Sequence, residues 1–524
     1  MNKTVQTNWS EWFWNRPWMM SVTASVLLVL SFPPFNLGVL QVAAFILLFR
    51  TAMLADNLRR MILTTYPAFV LWNLFSTYWL MMADITAGVA AILANALLML
   101  IPLAIARRIF LSGKFSPVPA AFLAAAIWVG YEFLHHRWDL AWPWLTLGNG
   151  WSNLTMVIQY ISVTGVLGIS FWVVFSAALF YNYIQTLSKN TLYWSFAVFL
   201  AFPVWSLGIS FIHNSPEDRP VTVTVIQPNS DSYASYGGHP SLNHLIDHLL
   251  EMTSDAVTDE TELILWPENA LKSNQYLNGE VSRRIADSLS VWNTTLVTGT
   301  GYVKFYPEGD EPLITRGEHS GRNYNVYNTA FFLQPGPHTE TYEKGRLVPM
   351  VERFPFADFM YRADLFGLVD WSSITGYGLG KNATVFELNG GAFPALICYD
   401  SVFPQWVNRF VENDADFLTI ITNDGWWGDS HGHIQHFAFA RLRAIEHRMW
   451  VARSANNGIS GIISPDGRVH VETEYWTEDA FTFTIYRNSA STTYSRFGDW
   501  IGLFLLLSGL GGYLMSVFKP EFER

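Results

Sequence analysis

Apolar residues dominate the chain from 18 to 212, in long runs separated by short polar breaks. A membrane-crossing helix needs about 20 apolar residues. On that measure residues 18–54 hold two short spans joined at the Pro33-Pro34 turn, and further spans lie near 66–82, 88–106, 119–134, 157–184 and 192–212. An eighth run, 500–518, stands alone near the other end. The pattern predicts a multi-pass α-helical membrane part of about eight spans. No cleavable signal peptide is evident, because Pro33-Pro34 leads into more membrane sequence.

Between the seventh and eighth runs the rhythm changes to short apolar strands alternating with helical spacing. Strands are expected at 221–226, 263–266, 295–298, 394–397, 417–422 and 459–464, a hairpin at 329–342 around Gln334-Pro-Gly-Pro337, and helices at 242–258 and 437–451. No repeat of 20–50 residues is present. Three parts follow: a seven-span domain over 1–212, an α+β domain over 213–496, and an eighth span with a tail over 497–524.

Composition supports the membrane reading. Half of the residues are hydrophobic and only 14% are charged, against about a quarter in a soluble domain. The formal net charge of −11 argues against nucleic acid as a partner. Charge also sets an orientation. Lys3 and Arg16 precede the first span; Arg59 and Arg60, then Arg107, Arg108 and Lys114, then Lys189 fall in alternate connections; Lys519 and Arg524 follow the last span. By the positive-inside rule both termini are cytoplasmic and the 213–496 domain faces the other side, periplasm or exterior.

The chain contains one cysteine, Cys398. An internal disulfide is excluded, and so is a thiolate metal site. Cys398 closes the short apolar strand 394–397, where a strand-to-loop turn can present a nucleophile, although a lone cysteine is also an ordinary buried hydrophobe. Glu268 follows a second strand and Lys344 follows the hairpin. Taken singly they are a surface carboxylate and a solvated lysine. Taken together the three supply a nucleophile, a general base and a cation for an oxyanion. Asp424, Asp429, His433 and His436 lack metal-ligand spacing and are assigned to turns and hydrogen bonds.

Trp266-Pro-Glu268, Lys344 with Leu347-Val-Pro349 and Glu352, and Cys398-Tyr399 resemble the nitrilase, or carbon–nitrogen hydrolase, superfamily. Asn423-Asp-Gly-Trp-Trp-Gly-Asp429, Gln435-His436, Ala440-Arg-Leu-Arg-Ala-Ile-Glu446 and Asn457-Gly-Ile-Ser460 extend the likeness over about 220 to 485. Such a domain flanked by seven spans and one is similar to the apolipoprotein N-acyltransferases of bacterial inner membranes. The resemblance implies an αββα sandwich, a Glu268–Lys344–Cys398 triad and no cofactor or metal. It implies transfer of the sn-1 acyl chain of phosphatidylethanolamine to Cys398, and from that thioester to the α-amino group of a diacylated lipoprotein. Trp266, Glu352, Tyr399 and Asp400 would support the site or contact substrate. The family usually carries other residues where this chain has Arg346, Met350-Val-Glu-Arg353 and Asp400. Two alternatives remain at this stage: a membrane-tethered amidase that uses water, and a lipid transporter or scaffold with an inactive domain.

Two further stretches stand out. Phe354, Phe356, Phe359, Met360, Tyr361, Leu365, Phe366 and Trp371 make the segment after Lys344 unusually apolar. It reads either as an arm that dips into the lipid interface, with Phe359 and Phe366 touching lipid, or as a buried loop. Glu132, His135 and His136, with Trp138, Trp142, Trp144 and Trp151, read as an interfacial aromatic belt or as a lipid-binding group.

Overall fold

A computed structural model of the chain describes residues 9–212, 218–272, 279–336, 338–364, 367–374, 376–488 and 491–518. Phe366, Leu365 and the outermost charged residues lie outside this set.

Helices occupy each of the eight apolar runs: Pro17–Ser31, Leu40–Leu54, Leu58–Thr77, Ile85–Leu111, Pro117–His135, Leu167–Thr186, Lys189–Ile212 and Trp500–Phe518. The last five of these are long and apolar enough to cross a membrane, while Pro17–Ser31 and Leu40–Leu54 are shorter apolar helices of 15 residues. The starts are encoded locally. Asn57 accepts from Arg60 N at 3.0 Å and Asp84 from Ala87 N at 2.7 Å, satisfying free N–H groups of the first turn. The Asn57 cap moves the third helix upstream of the expected 66–82. The expected 157–184 span is shorter, because its first part forms the turns Thr155–Val157 and Ile161–Thr164 and the helix begins only after Gly165. The last helix packs against Pro117–His135 through Gly130, Gly502 and Gly509, where an added Cβ would come within about 3 Å of Leu506, Phe133 and Ile127.

The 218–488 region is a sandwich of two mixed sheets. In the first, Asp479–Tyr486, Pro220–Gln227, Leu263–Leu265, Thr295–Phe305 and Arg322–Leu333 are successive neighbours, and Thr339–Glu343 joins Arg322–Leu333. In the second, Ala395–Ile397, Leu418–Thr422 and Val451–Ala455 run parallel, followed by Gly461–Ile463 and Val469–Glu472. Val451 opens a strand instead of closing the preceding helix, which spans His431–His447.

Strand alternation builds two cores from one sheet. Val223, Val225, Leu263, Leu265, Val297 and Phe332 face the second sheet and its Leu396 and Ile420. Ile226, Ile264, Trp266, Leu296 and Phe331 face the opposite way, onto Leu245, Leu249, Ile285 and Leu289 of the helices Leu242–Ala256 and Gly279–Trp292. Those two helices cover the first sheet. The helices Pro404–Glu412 and His431–His447 belong to the other side, completing the four-layer order.

Gln435 joins the two parts of the molecule. Its Nε2 donates to Pro33 O and Ser76 O, both at 3.1 Å, and its Oε1 accepts from Trp144 Nε1 at 2.7 Å.

Candidate active site

The site forms where strand ends of both sheets meet. Ala395–Ile397 ends at Cys398, which takes a left-handed φ of 48° and opens the short 3₁₀ turn Cys398–Val402. A non-glycine residue there is strained and is held by its surroundings. Asp400 supplies much of that hold. Its Oδ2 accepts from Ile397 N at 3.1 Å and from the Tyr342 hydroxyl at 2.8 Å, and its Oδ1 accepts from Arg346 N at 2.7 Å. One carboxylate therefore ties the cysteine turn to both sides of Lys344.

Lys344 follows the Thr339–Glu343 strand and is buried. Its Nζ donates to Glu352 Oε1 at 2.8 Å and Glu268 Oε1 at 3.2 Å. Glu268 lies just past Leu263–Leu265, against Gly299, where an added Cβ would stand 2.5 Å from Glu268 Cα. Its Oε2 accepts from Asn423 N at 2.9 Å and its Oε1 also accepts from Asn328 Nδ2 at 2.7 Å. Asn328 Nδ2 reaches Glu352 Oε1 as well, at 3.3 Å. Asn328 was not singled out from sequence, and Asn423 was read only as the start of the 423–429 block. Asn328 sits in a strand whose polar residues look like a solvent face, and Asn423 acts through its backbone.

Two carboxylates around one ammonium set the electrostatics. Burial works against the charge on Lys344, but Glu268 and Glu352 raise it well above the ordinary lysine value. Burial raises the Glu268 carboxyl and Lys344 opposes that rise. Burial, then the charge of Glu268, holds the Cys398 thiol well above its usual value. A thiol beside a raised carboxylate and a fixed ammonium can lose its proton during attack and need not exist beforehand as a free thiolate.

Cys398, Lys344, Glu268, Glu352 and Tyr399 line one cavity of about 510 Å³. Its other wall comes from the membrane helices, with Ala87, Ala91, Ala94 and Leu98 of Ile85–Leu111 and His135 of Pro117–His135. Trp79, Trp142, Trp144 and Trp427 close round it. The Trp79 ring lies 4.7 Å from Trp144 and 4.6 Å from Trp427, and Trp142 stacks on Trp144 at 5.7 Å. The belt expected at 138–151 is thus largely internal: Trp144 and Trp151 are buried, and Trp142 packs on Tyr399. Belt and cavity wall ask for the same residue type, so composition did not separate them.

Other expected residues are placed differently. Trp266 is outside the cavity, because alternation turns it into the helix-side core, where its Nε1 donates to Thr253 Oγ1 at 2.9 Å. Asp400 lies behind the cysteine turn and takes no part in the cavity wall. Phe359, on the short helix Ala357–Ala363, is 73% exposed and away from the cavity. Phe366 lies outside the described residues.

Beneath Cys398, Asp424 Oδ1 is 2.9 Å from His436 Nδ1 and its Oδ2 pairs with Arg453 Nη2 at 2.7 Å. His436 Nε2 is 3.2 Å from Cys398 O. Among the described residues, Cys398, Asp424 and His436 bring possible ligand atoms within 4.8 Å. Arg453 and the Thr422 hydroxyl, at 2.8 Å, already occupy the Asp424 oxygens, so the group reads as a support for the turn. His433 stacks on Tyr475 and Asp429 is exposed.

Comparison with known proteins agrees with both halves of this arrangement. Residues 222–494 match the carbon–nitrogen hydrolase family and residues 24–179 match the apolipoprotein N-acyltransferase N-terminal domain. An apolipoprotein N-acyltransferase of Chlorobaculum tepidum is 30% identical over 96% of both chains. One of Geobacter metallireducens is 25% identical over 92% of both, and the second such protein of Treponema denticola is 28% identical over 74% of this chain and 75% of its own.

Proposed function

The chain belongs to the apolipoprotein N-acyltransferase family, and from that premise we propose that it moves an acyl chain from a membrane phospholipid to the amino terminus of a diacylated lipoprotein. The observation that carries the reading is the shared cavity. One wall holds a thiol, an ammonium and two carboxylates, and the other is an apolar face of membrane helices. A water-soluble amide would not need the second wall, which favours a transferase over an amidase.

In the first half-reaction Cys398 Sγ attacks the sn-1 ester carbon of phosphatidylethanolamine and gives its proton to Glu268. Lys344 sits beside the developing oxyanion. The ester C–O bond breaks, and the lysophospholipid leaves with the proton from Glu268. In the second, the lipoprotein α-amine attacks the thioester and passes a proton by Glu268 to the departing sulfur. Glu352 holds Lys344 from the other side. Tyr399, whose hydroxyl donates to Ala141 O at 3.1 Å, shapes the pocket between the two parts. Burial of the site limits loss of the thioester to water.

The same reading has all eight helices embedded in a bacterial inner membrane, with 1–212 and 497–524 as the membrane parts and 213–496 as the periplasmic domain. Charges in alternate short connections support both termini on the cytoplasmic side. The apolar segment after Lys344 is then an arm at the lipid surface. Phe359 and Leu368 are 73% and 82% exposed there.

The test is the intact mass of purified protein incubated with phosphatidylethanolamine, with Cys398→Ala as control. A gain of one acyl chain, absent from the variant and discharged by a diacylated lipopeptide, supports the proposal. Free fatty acid without an adduct makes the protein a hydrolase, and neither product rules out phospholipid as donor.

A further inference from the structure

His135 closes the Pro117–His135 helix and forms part of the cavity wall. Its ring is fixed from two sides. The Tyr131 ring stacks on it with centroids 5.4 Å apart and planes 14° apart. The Trp138 indole Nε1 donates to its Nδ1 at 2.9 Å. An indole N–H can only donate, so Nδ1 is an acceptor. In the neutral imidazole the single proton must then sit on Nε2. That Nε2 is buried and has no hydrogen-bond partner among the described residues. Buried N–H groups are nearly always paired, and an unpaired one in a cavity wall is a donor held ready for a ligand.

The surroundings narrow the ligand. Asn95, the nearby polar residue of the wall, is engaged: its Nδ2 donates to Asn73 Oδ1 at 2.7 Å and its Oδ1 accepts from the Tyr131 hydroxyl at 3.3 Å. The rest of the adjacent helix face is alanine, glycine and leucine, suited to an acyl chain. A ligand there is apolar along most of its length and must carry an oxygen acceptor near His135. Trp138 also meets Phe356 of the arm, with ring centroids 6.2 Å apart, so the residue that sets the tautomer touches the surface where lipid would enter.

We propose that His135 is a binding residue for the acyl-donor glycerophospholipid, its Nε2–H donating to an oxygen of the lipid's polar portion while the acyl chain lies along Ile85–Leu111. The proposal rests on the donor reading given above. Two oxygens share this chemistry: a phosphate oxygen and an ester carbonyl.

The experiment uses the full-length protein in mixed detergent micelles and follows formation of the Cys398 adduct against phosphatidylethanolamine concentration. His135→Phe keeps the ring stacked on Tyr131 and removes the donor. It should raise the half-saturating phospholipid concentration about 10-fold, the loss of one hydrogen bond, with the rate at saturation and the discharge by lipopeptide little changed. His135→Gln, which restores an N–H at similar reach, should recover much of the loss. Trp138→Phe frees the tautomer and should give a smaller shift in the same direction. Repeating the series with p-nitrophenyl palmitate separates the oxygens. A penalty confined to phospholipid assigns the phosphate, and an equal penalty assigns the ester carbonyl. Unchanged saturation curves in His135→Phe overturn the proposal, as do equal losses in the Phe and Gln variants. If the wild-type protein forms no adduct at all, the donor reading itself has failed and this inference falls with it.

Discussion

The Tyr342 hydroxyl donates to Asp400 Oδ2 at 2.8 Å, and this bond joins the strand that carries Lys344 to the turn that carries Cys398. Tyr342 is itself fixed, since its oxygen also accepts from Gly345 N at 3.2 Å and Trp406 Nε1 at 3.1 Å. The relative position of lysine and cysteine thus depends on one buried carboxylate. Tyr342→Phe should destabilise the domain by about 1–2 kcal/mol, because Asp400 loses a partner without water to replace it. Asp400→Ala should cost more, and should slow Cys398 acylation further than the loss of stability explains. Single-turnover acylation beside thermal unfolding checks this; full acylation by a folded Asp400→Ala protein would refute it.

Asp400 also predicts a slope of stability with pH. Burial raises its carboxyl from 3.8 to about 6, against the pull of Lys344. The folded chain therefore binds a proton that the unfolded chain has released across this interval. Its contribution is fully present below about pH 4 and declines as pH rises to about 6. Thermal unfolding between pH 4 and 6 should show a steeper fall in Tm for the wild type than for Asp400→Asn. Parallel curves would show that the carboxyl titrates alike in both states.

Acylation should run the other way with pH. Glu268 must be ionised to take the thiol proton, and burial lifts its carboxyl above the ordinary value of 4.5, with Lys344 opposing. The single-turnover rate should climb with pH through that raised value. Lys344, held well above the lysine range, keeps its charge throughout. Glu268→Gln should lose about 10²- to 10⁴-fold and flatten the ascending limb. A Gln variant with the same limb would assign the titration to another group.

Glu268, Lys344 and Cys398 each lie next to the end of a strand, which is readable from local pattern, and the resemblance to the carbon–nitrogen hydrolases is what grouped them as a triad. Local pattern also found the eight helical runs, whose length and apolarity are local properties. Trp266 was misplaced although its alternation was legible: 263 and 265 face the second sheet, so 266 faces the helices. Asn328 was silent because its side chain reaches Glu268 and Glu352 from the middle of a polar-looking strand. Asn423 and Gln435 were legible only as members of their motifs, since their partners Glu268, Pro33 and Ser76 lie more than 100 residues away in sequence. The tryptophans at 142 and 144 were seen, but whether they face lipid or line a cavity is decided by the outer domain that covers them.

The arm offers a test that leaves the buried chemistry alone. Phe356 N donates to Asp139 Oδ2 at 2.8 Å, which anchors the arm's start to the connection after Pro117–His135. Beyond it Phe359 and Leu368 face outward. With both changed to Ser, acylation from phospholipid vesicles should slow by about 10²-fold or more, since each buried apolar side chain contributes about 1.5–3 kcal/mol to insertion. Tm should change little. Equal rates for variant and wild type on vesicles would exclude lipid contact by these side chains.

Asp424 and Arg453 supply the strongest stability prediction. Both side chains are fully buried and lie 2.7 Å apart. Burial alone would raise the Asp424 carboxyl, but His436 and Arg453 hold it well below the ordinary range. Removing one partner strands the other charge in a dry interior, at a cost of about 3–5 kcal/mol. Arg453→Met alone should therefore unfold the domain at a much lower temperature. Asp424→Asn combined with Arg453→Met should recover most of that loss, because no unpaired charge remains. His436 connects this pair to the Cys398 carbonyl, so the recovered double variant separates stability from positioning. If it folds but acylates Cys398 slowly, the pair aligns the nucleophile turn through His436. If it folds and acylates normally, the pair serves folding only.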